Sequence, residues 1–337
     1  MKYGFIALLL LGFLIFAPKS PAAEEDVTIK ELPFDSVELF RLSSSLRGHE
    51  FSGLTISPKG KLYTASDNIW DAAIYRVDID EADGEKAQCI PLNIDVSRLG
   101  KRAFDWEGIS CLDERNFYLL NERGDGGELS CRVAHVVLTR EGNKGRAKWC
   151  TPSLLQKSSR LCLSPIEPNK SLEGISAYTN KKGELNFYFA FERVERAILH
   201  LDGKGILRKL PDPLEDFKYE KFLSSQGRGS ASFSGIWFSP PDSLYVIVRN
   251  CSAIAKFKIN GSLSLESLWS FARILKGRGL WNWWKEESDK EPYGYGMAEG
   301  ICADENYLYI ILDTQNCFCP KGSKDYRTPL LRMRRPD

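Results

Sequence analysis

The sequence predicts an all-β chain, a β-propeller of five four-stranded blades, on three observations. A glycine-centred motif recurs five times at steps of about 60 residues. Each copy is followed by a second short run rich in aromatic and β-branched residues. No helical period of useful length competes with these runs beyond the N-terminal stretch.

The motif appears as Phe51-Ser52-Gly53-Leu54-Thr55, Trp106-Glu107-Gly108-Ile109-Ser110, Leu172-Glu173-Gly174-Ile175-Ser176, Phe233-Ser234-Gly235-Ile236-Trp237 and Ala298-Glu299-Gly300-Ile301-Cys302. Its glycines stand at 53, 108, 174, 235 and 300, giving steps of 55, 66, 61 and 65. A polar turn follows each copy, with Pro58-Lys59-Gly60, Lys181-Lys182-Gly183 and Pro240-Pro241-Asp242 as hairpin chemistry. The second runs end in polar clusters, as in Phe117 to Arg123, Phe187 to Arg193, Leu244 to Asn250 and Tyr307 to Asp313. A third run such as Ala253 to Lys258 and a weaker fourth complete each unit, the four antiparallel strands of a blade. A β-sandwich would not explain the period.

Val37 to Leu42 precedes the first copy and has no unit of its own, so it is expected to supply the outer strand of the last blade and close the ring. The count becomes six if the irregular stretch between Gly203 and Ser232 hides a degenerate unit.

Lys2, the apolar run Phe5 to Phe16 and the small residues Ser20 to Ala23 read as a secretory signal peptide, the alternative being an uncleaved anchor. Residues 1–23 are thus expected to be removed and 24–337 to form a single propeller domain, periplasmic or secreted, with no membrane span left after processing. Nine cysteines in an exported chain suggest disulfides with at least one thiol left over, Cys150 and Cys162 being one candidate pair. Cys317-Phe318-Cys319 lacks a second pair at zinc spacing. His135 and His200 sit in apolar runs and read as packing residues. The net charge of +1 gives no reason to expect a nucleic-acid surface, and the basic end (Arg327, Arg332, Arg334, Arg335) reads as a solvated tail.

In a propeller the first strand of each blade lines the central channel, so residues in phase form rings around the axis. Glu107, Glu173 and Glu299 precede their glycines, with Ser52 and Ser234 in the other two copies. A second ring is expected from the ends of the second strands: Asp67, Glu122, Glu192, Arg249 and Asp313. Converging carboxylates raise one another's pKa unless a cation or arginine compensates. Two readings stay open. Glu107, Glu122, Glu173, Glu192, Glu299 and Asp313 could hold a metal, and oxygen ligands without His or Cys select Ca²⁺. Alternatively the acids pair with Arg123, Arg193 and Arg249 and bind nothing. The Trp281 to Gly296 insert reads as a lid over the channel mouth or a stacking platform, and the Asn121 to Gly127 loop as a glycine-rich turn or ligand loop. No nucleophile elbow, phosphate loop or dinucleotide fingerprint is present.

On these motifs, from about Phe51 to Asp313, the chain resembles the SdiA-regulated family of exported bacterial propellers. It resembles more loosely the phytase-like (esterase-like) propeller domain. Asp105-Trp106-Glu107-Gly108 with Asn121-Glu122-Arg123, and Leu172-Glu173-Gly174 with Phe191-Glu192-Arg193, carry most of the likeness. The resemblance implies a propeller with calcium at the axial acids. The first family implies no established reaction. The second implies calcium-dependent phosphoester hydrolysis, in which Glu122 and Glu192 would act as bases or ligands and Arg123, Arg193 and Arg249 as anion clamps. Ser52, Arg249 in place of a second-ring acid, and the tryptophan-rich insert depart from that pattern. The rival expectation is a monomeric, non-enzymatic propeller with structural calcium that recognises a small anionic ligand or an envelope component.

Overall fold

The structure is a computed structural model that describes residues 28–43, 50–66, 73–82, 86–100, 105–123, 129–151, 154, 171–192, 196–214, 232–278, 280, 282–283, 294–295, 297–313 and 327–336. The expected signal peptide, His49, Asp67, the 124–127 loop, Cys162, Arg193, Cys317 and Cys319 lie outside the described residues. So do the side chains of Arg123 and of the tryptophan-rich insert, whose backbone shows one short pairing of Asn282–Trp283 with Gly294–Tyr295.

The five motif copies start five antiparallel units. The first unit orders Phe51–Ile56, Leu62–Ser66, Ile74–Ile79 and Lys86–Pro91 from inside to outside. The second is Trp106–Cys111, Asn116–Arg123, Leu129–Leu138 and Lys144–Trp149, and the third Leu172–Thr179, Leu185–Phe191, Ala197–Leu201 and Leu207–Leu210. The fourth is Phe233–Ser239, Ser243–Val248, Ala253–Ile259 and Leu263–Ser270. The fifth combines Met297–Ala303, Tyr307–Asp313 and Pro329–Arg334 with Val37–Leu42 as its outer strand, as the sequence led us to expect. Leu207–Leu210, from the irregular stretch, is the outer strand of the third unit, so no sixth unit appears among the described residues.

The inner strands touch in order around a circle, first to second and onward to fifth, and the fifth returns to the first. The chain is a β-propeller. Five hydrophobic clusters fill the five gaps between neighbouring units. Strand alternation explains why the second runs are continuously apolar. Phe117 and Leu119 pack toward the first unit, while Tyr118 and Leu120 on the opposite face pack toward the third.

The glycines recur because the inner strands approach too closely for a side chain. A Cβ on Gly53 would lie 2.8–2.9 Å from the backbone of Ile109 and Gly108, and one on Gly235 2.9 Å from Glu299 O and Ile301 N. Two residues past the glycine, hydroxyls lace the units together. The N–H groups of Cys111, Ala177 and Phe238 donate to Thr55 Oγ1 (2.9 Å), Ser110 Oγ (2.8 Å) and Ser176 Oγ (2.8 Å) of the preceding unit.

The basic end is not a solvated tail. Pro329–Arg334 is an interior strand of the fifth unit, and Arg332 clasps the ring closure. Its guanidinium donates to Glu38 (2.6 and 3.0 Å) on the N-terminal strand and to Glu81 (2.5 and 3.0 Å) in the first unit, over the rings of Phe40 and Tyr307. The disulfide expectation is also corrected within the described residues. Cys89, Cys111, Cys131, Cys150, Cys251 and Cys302 are all free thiols, and all but Cys150 are buried. Inward-facing strand positions favour a small apolar side chain, and burial pushes the Cys131 and Cys251 thiols up to about 12, far from the reactive thiolate.

Candidate metal centre in the axial channel

Each residue preceding a motif glycine falls where the pairing with the second strand slips by one. The shifts lie between Phe51 and Gly53, Trp106 and Gly108, Leu172 and Gly174, Phe233 and Ile236, and Ala298 and Gly300. Such a bulge adds one residue to the strand and re-aims its side chain. In the serine copies the hydroxyl reaches the inner strand of the next unit: Ser52 Oγ donates to Trp106 O, and Ser234 Oγ to Ala298 O at 2.6 Å.

The second ring is equally regular. Trp106 pairs with Asn121, Leu172 with Phe191, Phe233 with Val248 and Ala298 with Leu312, so Glu122, Glu192, Arg249 and Asp313 occupy equivalent places one residue further. Three of these places are fixed by the same backbone bond. The N–H groups of Glu122, Glu192 and Arg249 donate to the carbonyls of Asp105 (2.9 Å), Ser171 (2.8 Å) and Ser232 (2.9 Å).

The acids divide into two groups. Arg249, 6% exposed, anchors the first. Its Nη1 donates to both oxygens of Glu299 at 2.9 Å, its Nη2 donates to Glu192 at 2.8 Å, and Glu173 lies 3.6 Å away. Burial alone would lower the arginine's pKa, but Glu299, Glu192 and Glu173 outweigh it and hold the guanidinium charged. Arg249, expected as an anion clamp, therefore has its guanidinium engaged by three carboxylates. Glu173 is affected the other way. Burial, then Glu107 and Glu192, push its pKa well above 4.5 despite Arg249, and it hydrogen-bonds Glu192.

The second group is Asp105, Glu107 and Glu122, which bring one carboxylate oxygen each within 4.8 Å of one another. Ser171 Oγ donates to Glu122 at 2.7 Å and orients it. The Asn121 side chain, held by its Nδ2 donating to Asp105 O at 3.0 Å, keeps a buried Oδ1 without a hydrogen-bond donor. Three carboxylates, with no histidine or thiolate in the group, form a hard-oxygen donor set that fits Ca²⁺. The structure thus joins Glu107 and Glu122 in one group and places Glu173, Glu192 and Glu299 around Arg249. Asp313 is buried at its second-ring place.

Asp105 did not emerge as a ligand from the sequence. Its signal was a further in-phase ring, three residues before the glycine: Glu50, Asp105, Ser171, Ser232 and Met297. His135 stacks on Tyr118 and bonds Asn116, and His200 stacks on Tyr188 and bonds the Tyr178 hydroxyl, so both pack as expected.

Neither a family model nor a curated protein matches the sequence. Solved structures are similar across most of the chain. The PQQ-bound aldose sugar dehydrogenase from Streptomyces coelicolor is 12% identical at a TM-score of 0.46, with 89% of this chain and 98% of that one covered. Virginiamycin B lyase from Staphylococcus aureus is 11% identical at 0.43, covering 88% and 99%. The WD40 repeats of RRP9 are 8% identical at 0.42, covering 91% and 100%. The propeller assignment rests on this chain's own closed ring of inner strands.

Proposed function

We propose that this chain is an exported β-propeller that binds Ca²⁺ at Asp105, Glu107 and Glu122 and hydrolyses a phosphoester at that end of the channel. The observation that carries the reading is the carboxylate triad, converging within 4.8 Å. Glu173, whose carboxyl stays protonated well above the usual range and feels Glu107, stands beside it. Carboxylates that could hold a metal, next to a carboxyl whose burial favours its protonated form, are a pairing that acid–base catalysis can use. Bound there, Ca²⁺ would activate a water and hold a phosphoryl oxygen. Glu173 would give its proton to the leaving group, while Glu192 and Glu299 hold Arg249 and so keep Glu173 in place. Arg123 and Arg193, each one residue past a second-ring acid, are the proposed anion clamps, and Asp313 completes the second ring. The resemblance of the motif series to the SdiA-regulated and phytase-like propellers is in keeping with calcium. The N-terminal apolar run supports export, and the high pKa of the buried thiols is compatible with an oxidising compartment.

A second reading, a ligand-binding propeller with structural calcium, is favoured by one observation: Arg249 is engaged by carboxylates. Thermal unfolding of chelated protein titrated with Ca²⁺, run alongside a phosphoester screen, separates the two. At a hundredfold excess over Kd the ion adds about 2.7 kcal/mol, a rise in Tm of about 4 °C for a single domain of this length. That rise should vanish in Glu107→Gln and Glu122→Gln. Calcium-dependent turnover supports hydrolysis, and a shift without turnover selects the binding reading. No shift in the wild type overturns both.

A further inference from the structure

Behind the acidic group runs a chain of hydrogen bonds that starts at a thiol. Among the described residues, two that are not glycine have a left-handed backbone, Cys131 (φ 39°) and Ser252 (φ 45°). Both stand where the third strand of a unit settles into its pairing, in the second and the fourth unit. Each carbonyl accepts from a residue beyond its unit's fourth strand, Leu154 N–H at 2.9 Å and Phe271 N–H at 2.8 Å. The backbone place is therefore a feature of the repeat. What the second unit adds is the side chain. Cys131 Sγ donates to Ser171 Oγ at 3.3 Å, and Ser171 Oγ donates to Glu122 at 2.7 Å.

The polarity of this chain is fixed. Burial pushes the Cys131 thiol up to about 12, so at neutral pH it enters the chain as a donor. A serine hydroxyl has one proton to give, and its rotor turns to suit its partners. With the thiol on its lone pair, the Ser171 proton is directed to the carboxylate. Cys131 and Ser171 are fully buried and Glu122 is 1% exposed, so bulk water does not compete. Ser171 is held from its other side as well, because its carbonyl accepts from the Glu192 N–H at 2.8 Å.

The repeat alone does not produce this link. Ser232 holds the same place one unit on, and its carbonyl takes the equivalent bond from the Arg249 N–H at 2.9 Å. Its hydroxyl, however, is buried without a hydrogen-bond partner. The bond from Ser171 to Glu122 thus depends on what surrounds that serine, and the thiol is part of those surroundings.

A carboxylate that binds a metal gives up rotational freedom, and partners that orient it beforehand remove that cost. Resting on the calcium reading above, we propose that Cys131 and Ser171 are positioning residues of the metal centre: the thiol sets the serine hydroxyl, and the hydroxyl holds the Glu122 carboxylate toward Asp105 and Glu107. Calorimetric titration of the purified, chelated protein with Ca²⁺ tests this. Ser171→Ala should weaken Ca²⁺ binding by about 10–100-fold, the usual effect of removing a partner that orients a ligand. Cys131→Ala should weaken it about three- to tenfold, the worth of one hydrogen bond. Cys131→Ser loses the same sulfur but keeps a donor, and should bind within about twofold of the wild type. Packing alone would weaken both cysteine variants alike, and their contrast keeps the test intact if Ser171→Ala does not fold. If the wild type binds Ca²⁺ and Ser171→Ala binds it equally well, the positioning role is overturned and the metal centre stands. Equal losses in Cys131→Ala and Cys131→Ser overturn the part given to the thiol. A wild type that takes up no Ca²⁺ overturns the metal centre and the positioning role with it.

Discussion

Replacing Arg249 by methionine removes a cation that three buried carboxyls share. Methionine keeps much of the length and none of the charge. The side chain makes three hydrogen bonds of 2.8–2.9 Å to Glu299 and Glu192 and stands 3.6 Å from Glu173. All four groups are more than nine-tenths buried, so water compensates poorly for the lost guanidinium. Removing one partner of a buried ion pair costs about 3–5 kcal/mol, against a total stability of roughly 5–15 kcal/mol. Urea unfolding followed by circular dichroism should therefore show a large fall in midpoint at neutral pH. The deficit should shrink in acid. Without the arginine, the folded pKa values of Glu173, Glu192 and Glu299 rise. The stability linked to their protons is then fully present below about 4.5 and lost as pH climbs through the raised values. Adding Glu299→Gln to Arg249→Met should return about 1 kcal/mol or more, since one buried charge goes with it. A deficit under about 1 kcal/mol, or one indifferent to pH, would refute the claim that the arginine neutralises this side of the ring.

Two further outcomes follow from the same geometry. Glu173→Gln should stabilise the protein at neutral and alkaline pH, because the wild-type carboxyl, raised well above 4.5 by burial and by Glu107 and Glu192, contributes stability in acid that is lost as pH rises through its folded value. Urea midpoints across pH should flatten in the variant, and an unchanged slope would sink the assignment. Gly235→Ala should cost about 1–3 kcal/mol, since its Cβ would meet Glu299 O, Ile247 Cδ1 and Ile301 N at 2.9 Å with backbone on two sides. A neutral result in urea unfolding would show that the inner strands can part.

Much of this molecule was legible before folding because a propeller repeats locally. The five glycines, the apolar second runs and the polar turns are each set by a unit's own hydrogen bonds and by its contact with the next, so their phase survives in one dimension. The same phase placed Glu107, Glu173 and Glu299 in one ring, and Glu122, Glu192 and Arg249 in another, and assigned Val37 to Leu42 to the closure. Pairing across the channel was not legible. Arg249 meets Glu192 and Glu299 from two other units, 57 and 50 residues away, and nothing local distinguishes Glu173, drawn to that arginine, from Glu107, drawn to Asp105. Arg332 looked like part of a tail because Glu38 and Glu81, which hold it, lie 294 and 251 residues earlier. Sequence determined the repeat, which is a matter of short-range backbone pairing. Which charges compensate one another only the closed ring decided, because that depends on distances that exist once the first and last strands have met.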